Sequence, residues 1–349
     1  MKNTKPFLFD LTLKELTEII TELGEPAYRA KQVYEQVYSK AVSSFDKMNG
    51  LPKILREKLA EVIDASHLTT QIDKLSSDNH TRKILFGLPD GAQVETVLMG
   101  YIIRRTACIS TQAGCALGCT FCATGQGGLQ RNISSGEIVE QVMFFERELR
   151  KKNEKLTNLV FMGMGEPFAN YNEVMKAVET LTDPAGFNFG ARRITISTVG
   201  LVPYIDKFTL EQSQVNLAVS LHAATDELRE TMLPINKRYP IRELIKSCRN
   251  YVNNTHRRIS FEWALIDHVN DTTAQAEALA GLLKGMLCHV NFIPLNPTKG
   301  YGGHESKKMR ISRFMQILDE AGIPNTLRIR RGIDINAGCG QLRQESATN

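Results

Sequence analysis

The chain has 349 residues, 42% of them apolar and 23% charged, which excludes a disordered or collagen-like chain and gives length for about two domains of ordinary size. No run approaches the roughly 18 consecutive apolar residues of a membrane-spanning helix, and the opening MKNTKPFLFD has neither an apolar secretory stretch nor a cleavage site, so a cytoplasmic protein with no membrane partner is expected. The formal charge of +5, from 43 Lys and Arg against 38 Asp and Glu, is too small by itself to name a partner.

Taken in chain order, the first elements are helical. Thr12 and Glu15 form a capping box before Leu13, Leu16, Ile20 and Leu23 at helical spacing, and Gly24 ends the run. A second helix is expected from Pro26 and a third over 52–62, after the Asn49-Gly50 turn. Residues 1–66 therefore read as a small helical accessory domain. Over 67–104 the pattern becomes alternating, with strands expected at 84–86 and 94–98 around Pro89-Asp90-Gly91, a β-rich linker. From 105 to 335 strands alternate with amphipathic helices such as 134–150 and 274–286. The strands are expected at 106–110, 158–163, 193–198, 215–222, 259–266, 289–294 and 326–330. About six βα units favour an α/β fold, a partial (β/α)6 barrel whose active site lies at the carboxyl ends of the strands. Residues 336–349 remain as a C-terminal loop.

Seven cysteines, an odd number, do not suggest a disulfide framework. Cys115, Cys119 and Cys122 form C-x3-C-x2-C directly after an expected strand. Three thiolates on one loop can bind three irons of a [4Fe-4S] cubane and leave the fourth iron open; a structural zinc would want a fourth Cys or His close by, and none follows. Gly163-Met164-Gly165-Glu166-Pro167, Ser197-Thr198-Val199-Gly200, Ser220-Leu221-His222 and Asn296-Pro297 each fall where an expected strand ends, as ligand-binding residues of a barrel do. Taken alone, each reads more readily as a tight turn or a hydrogen-bonded loop than as a ligand site, and Cys108, Cys248 and Cys288 read as core residues. Between Lys299 and Arg343, nine Lys and Arg face four acids, and Arg-Arg pairs stand at 104-105, 192-193 and 257-258. A phosphate-rich partner fits this clustering, as does a solvated face.

These motifs in this order, together with Gly338-Cys339-Gly340-Gln341-Leu342, resemble the RlmN/Cfr family of radical S-adenosylmethionine (SAM) RNA adenine methyltransferases over nearly the whole chain. The resemblance implies a [4Fe-4S] cluster on Cys115, Cys119 and Cys122, with SAM on its open iron. It implies a SAM site made by Gly165, Glu166, Ser197, Ser220, Leu221, His222 and Asn296. Cys339 matches the family's methyl-carrying cysteine, Cys108 the cysteine that closes a disulfide with it, and Glu95 the proposed proton acceptor, with Cys108 as its rival. The implied reaction passes through a methylated cysteine and a 5′-deoxyadenosyl radical. The implied partners are 23S rRNA, at adenine 2503, and certain tRNAs, at adenine 37, with electrons from a flavodoxin or ferredoxin system and a monomeric enzyme. The intact Gly165-Glu166-Pro167 favours the branch that methylates C2 over the Cfr branch, which methylates C8 and confers antibiotic resistance. The chain departs from the commoner pattern at Asn336, usually Asp, and Gly338, usually Ala; the second change is expected to loosen the loop. A peptide-modifying radical SAM enzyme would not need the helical module or the basic C-terminal third. A non-catalytic iron–sulfur RNA-binding or redox-sensing protein would leave SAM intact.

Overall fold

The computed structural model describes residues 5–342. Arg343 of the late basic cluster, with the rest of the C-terminal segment and residues 1–4, lies outside them. Three helices come first: α1 (Leu13–Glu22), α2 (Tyr28–Tyr34), which continues as a π-helical turn over Glu35–Ser39, and α3 (Lys53–Val62). The Thr12 capping box closes as read, with the Glu15 amide donating to Thr12 Oγ1 at 3.2 Å and the Thr12 amide to Glu15 Oε2 at 2.8 Å.

Next come β1 (Thr69–Leu75), β2 (Thr81–Gly87), β3 (Gln93–Gly100) and β4 (Arg105–Cys108), each antiparallel to the one before it. β5 (Gln112–Gly114) and β6 (Leu129–Asn132) pair as a separate small hairpin, and the four-residue helix α4 (Ala123–Gln126) lies between them. The chain then alternates: α5 (Ser135–Arg150), β7 (Asn158–Phe161), α6 (Tyr171–Thr182), β8 (Ile194–Thr198), α7 (Val202–Leu210), β9 (Asn216–Ser220), α8 (Asp226–Met232), α9 (Ile241–Thr255), β10 (Ile259–Leu265), α10 (Thr273–Leu283), β11 (Cys288–Pro294), α11 (Lys308–Glu320) and β12 (Asn325–Leu327).

One ten-stranded sheet runs β1-β2-β3-β4-β7-β8-β9-β10-β11-β12, and every pairing from β4 to β12 is parallel. The expected six βα crossovers are present. Among the described residues β12 has no partner on its far side, so the barrel is open. The segment read as a linker instead extends the barrel sheet by three antiparallel strands. β1 and the β5–β6 hairpin had no counterpart in the expected strands.

A single hydrophobic core extends from Phe7 through the helical module to Ile323. The module sits on the outer side of α5 and α6: Asp10 Oδ1 accepts from the Gly136 amide at 2.6 Å, and Tyr34 donates to Asp183 at 2.8 Å. Alternation along the parallel strands assigns their two faces. In β8 and β11 the apolar residues Ile194, Ile196, Val290 and Phe292 are buried beneath the helices, whereas Thr195, Ser197, His289 and Asn291 are only half-buried and face the barrel interior. Cys248 and Cys288 are buried in the core. Among the described residues no helix is long and apolar enough to cross a membrane.

Candidate active site

At the carboxyl ends of the parallel strands lies a cavity that opens to solvent. Ten sequence-predicted residues line it: Cys115, Cys119, Cys122, Gly165, Glu166, Ser197, Ser220, His222, Asn296 and Cys339. The site is thus gathered from five strand ends, the loop after β5, and the C-terminal loop. Three predicted residues do not line it: Leu221, Cys108 and Glu95.

The three clustered cysteines are free thiols. Burial pushes Cys115 up to about 11 and Cys119 well above its ordinary value, and neighbouring thiols and Glu166 add to both. Without nearby positive charge these groups stay neutral; iron ions supply that charge and favour the thiolate. Among the described residues no three His, Cys, Asp or Glu side chains converge tightly enough for a single ion. Three thiols lining one cavity can hold three corners of a polynuclear cluster.

Glu166 is buried at the tip of the β7 loop. Its Oε1 accepts from the Phe168 amide at 2.9 Å and its Oε2 from the Val199 amide at 2.8 Å. Burial outweighs these bonds and raises its carboxyl to about 7, so a cation entering the cavity would favour its ionised form. Gly165 has φ +100°, and a Cβ there would lie 2.6 Å from Gln112 Cβ. Only glycine meets both demands.

His222 occupies left-handed backbone with φ +58°. Burial lowers its ring to about 3, so the imidazole is neutral. The Ala264 amide donates to Nδ1 at 2.9 Å, which leaves Nε2 as the donor. Asn296 donates from Nδ2 to the Cys339 carbonyl at 3.0 Å, while its buried Oδ1 accepts no hydrogen bond from the described residues. Leu221 is fully buried; its amide donates to the Glu262 carbonyl and its own carbonyl accepts from Arg229.

Cys339 faces open space in the cavity although protein surrounds it closely enough for burial to raise its thiol, an effect that the nearby Arg328 guanidinium opposes. Cys108 is buried in a small cluster with Val97, Met164, Ala337 and Leu342, so the C-terminal loop packs directly on it. Burial raises Cys108 to about 12, and the charge of Cys339 contributes. Glu95 lies on the same face of the sheet, since Val97 pairs with Cys108 across β3 and β4. It is buried behind the cavity wall, with Lys83 Nζ 2.6 Å from its Oε1.

The structure corrects the reading of Gly338. It is a buried, close-packed position: a Cβ there would lie 2.6 Å from Asn296 Nδ2. Glycine lets Asn296 reach the Cys339 carbonyl and so fastens the loop it was expected to loosen. Asn336 has φ +52°, a conformation Asn adopts readily.

Sequence reasoning missed three residues. Arg229, fully buried on α8, donates to the carbonyls of Val199 at 2.6 Å and Leu221 at 3.1 Å and to Asn236 Oδ1 at 3.0 Å. It ties together the loops after β8 and β9. Glu262, a single acid in the apolar strand β10, lines the cavity, and Arg328, just past β12, lies 3.7 Å from it. The lone Glu in an apolar run and the shared parity of Thr326 and Arg328 were the available signals.

Comparison with known proteins places this arrangement. The Radical SAM superfamily matches residues 109–278, and the Ribosomal RNA large subunit methyltransferase N-terminal domain matches residues 7–64. The chain is 51% identical over 346 residues to the "Probable dual-specificity RNA methyltransferase RlmN" of Chloroflexus aurantiacus, covering 96% of this chain and 92% of that one. The chain belongs to the RlmN family. The "Dual-specificity RNA methyltransferase RlmN 1" of Myxococcus xanthus is 46% identical over 341 residues, covering 98% of this chain and 95% of its own length. A crystal structure of a radical SAM methyltransferase from Sphaerobacter thermophilus superposes with a TM-score of 0.95 at 52% identity, covering 97% of this chain and 99% of that one. RlmN membership makes this chain a radical SAM RNA methyltransferase, and it implies a [4Fe-4S] cluster and SAM.

Proposed function

We propose that the chain converts adenine to 2-methyladenine at position 2503 of 23S rRNA and position 37 of tRNAs in the cytoplasm, as a monomer fed electrons by a flavodoxin or ferredoxin. The observation that carries this reading is the C-terminal loop folded into the barrel mouth, which sets Cys339 in the same cavity as the three clustered thiols. The specificity for C2 draws on the RlmN relatives and the intact Gly165-Glu166-Pro167. The accessory module over 1–66, the extended sheet over 67–104, the barrel over 105–335 and the loop over 336–349 divide the work between RNA contact and chemistry.

In this reading Cys115, Cys119 and Cys122 hold the cluster. Gly165, Glu166, Ser197, Ser220, Leu221, His222 and Asn296 hold SAM. Glu166 accepts from the ammonium group, His222 Nε2 donates, and Leu221 acts through its backbone. Bound there, the cluster and SAM would supply the methyl carbon and the radical chemistry that activates it. Direct alkylation is closed to this substrate, because an amidine carbon is itself electrophilic. Cys339 therefore carries the carbon: its sulfur takes the methyl group by displacement and later joins it to the ring. Glu95, held in its ion pair with Lys83, or Cys108 accepts the ring proton, and the bound cluster would take back the one electron that radical addition leaves on the ring. Cys108 then attacks the Cys339 sulfur, forming a disulfide as the carbon leaves with the RNA, and external reductant restores both thiols.

The test is anaerobic turnover on 23S rRNA and tRNA fragments, followed by nucleoside mass spectrometry against standards of both isomers. The expected product is 2-methyladenosine; 8-methyladenosine would move the chain to the other branch, and unmodified RNA with SAM intact would refute catalysis.

A further inference from the structure

Below the cavity the barrel interior is not packed. A closed barrel fills this space with layers of branched apolar side chains. Here the inward positions nearest the amino ends of the strands are Thr195, Asn216, Ser260 and Asn291, and they surround a polar lumen of about 710 Å³. Met162 and Glu262 line both the lumen and the upper cavity, so the two spaces meet at Glu262.

The lumen opens between Arg192, Arg257 and Arg258. Arg192 Nε and Arg257 Nη1 both donate to Gln214 Oε1 at 3.1 Å, and Arg257 Nη2 donates to Asn216 Oδ1 at 2.9 Å. These acceptors are neutral. Among the described residues none of the three guanidiniums pairs with a carboxylate, so all three carry uncompensated charge, and Arg192 and Arg257 are also fixed in direction. At the inner end, Thr326 donates to Asn291 Oδ1 at 3.1 Å, and Asn291 Nδ2 in turn donates to Glu262 Oε1 at 2.9 Å. Glu262 Oε2 is buried, accepts no hydrogen bond from the described residues, and lies 3.7 Å from Arg328.

Resting on the RNA methyltransferase reading, we propose that the target adenosine enters through this lumen from the amino ends of the strands, with Arg192, Arg257 and Arg258 on its flanking phosphates and Glu262 accepting from its 6-amino group. The C2 edge belongs to the pairing face of adenine, so the base must leave its stack and pass into a pocket before any group can reach it. A phosphodiester cannot follow the base into the barrel cheaply, and a ring of directed guanidiniums at the mouth is where it would stop. An acceptor at the inner end suits the amino group of adenine and opposes the carbonyl that guanine presents in its place. Reading from below also leaves the upper cavity to the cofactor, with Cys339 on the wall of that cavity and near Glu262 and Arg328.

The test uses full-length holoenzyme and an RNA stem-loop with one unpaired adenosine. Three variants are compared with wild type: Arg192→Ala/Arg257→Ala/Arg258→Ala, the same three positions changed to Lys, and Glu262→Ala. Arg242→Ala on the outer helix layer is the control. RNA affinity is followed across salt concentration, and kcat/KM is compared for adenosine and for purine riboside, which lacks the 6-amino group. The triple alanine variant should lower the salt slope by roughly 0.7 per lost phosphate contact, about two in all, while the lysine version keeps the slope. Wild type should prefer adenosine by about tenfold or more, and Glu262→Ala should bring that ratio near one. A wild-type slope in the triple alanine variant, or an unchanged ratio in Glu262→Ala, would overturn the proposal. Wild-type enzyme that modifies no RNA would instead sink the functional reading, and the salt slopes would still report on the mouth.

Discussion

Arg229 offers a quantitative test of how the site is held. Changing it to Met keeps the apolar stem and removes the guanidinium. Leu221 O retains a second donor, the Ala223 amide at 2.8 Å, but Val199 O and Asn236 Oδ1 have no other donor among the described residues. Each orphaned buried acceptor costs roughly 1–3 kcal/mol, and removal of a buried charge offsets part of that. The net loss is then about 3 kcal/mol, equivalent to a fall of about 5 °C in Tm for a protein of this size. The loss is local to the cofactor level, because the Val199 amide is also the donor to Glu166. SAM affinity in equilibrium dialysis should therefore fall roughly tenfold, in step with a loosened Val199 loop. Anaerobic thermal unfolding and dialysis of Arg229→Met against wild type give both numbers. A Tm within about 1 °C of wild type with unchanged SAM affinity would show that the Arg229 bonds do not position the loops, and the reasoning would fail.

Three further outcomes are expected. Gly165→Ala meets both a positive φ and the Gln112 side chain, so it should destabilise by about 2 kcal/mol or more and abolish SAM binding, read by denaturant titration and dialysis. Glu166→Gln should weaken SAM by about 10- to 100-fold while binding of an analogue lacking the amino group changes little, because only the charge-assisted bond is removed. Burial pushes Glu137 up, but bonds from His67, Arg131 and Ser134 together outweigh it and hold the carboxyl at about 2. Its stabilisation is thus complete above about pH 4.5 and lost as pH falls toward 2. Glu137→Gln should cost about 2–3 kcal/mol in urea unfolding at pH 7, and the gap to wild type should close on acidification through that window.

The parts of the fold legible in the sequence were those encoded locally. The Thr12 capping box, the Cys115–Cys119–Cys122 spacing and the strand-end glycines act over a few residues, and each stands where it was read. β1 escaped because its TTQIDKL sequence is exposed along most of its length, so burial imposes no strict alternation on it. The β5–β6 hairpin was hidden by its short strands and by the cysteine loop it encloses. Arg229, Glu262 and Arg328 owe their roles to neighbours far away in the chain, and a basic residue on a short helix looks the same whether solvent or three loops surround it. Gly338 shows the same limit in reverse: its local freedom was visible, the Asn296 side chain that occupies the space of its missing Cβ was not.

The central claim is that Cys339 carries the methyl carbon and Cys108 releases it. Anaerobic turnover of Cys108→Ala with RNA, followed by nuclease digestion and peptide mass spectrometry, tests it most directly. The account predicts a nucleotide joined through one carbon to the peptide containing Cys339, absent when Cys339 is also changed to Ala. Freely released methylated RNA from Cys108→Ala, or from Cys339→Ala, would contradict it.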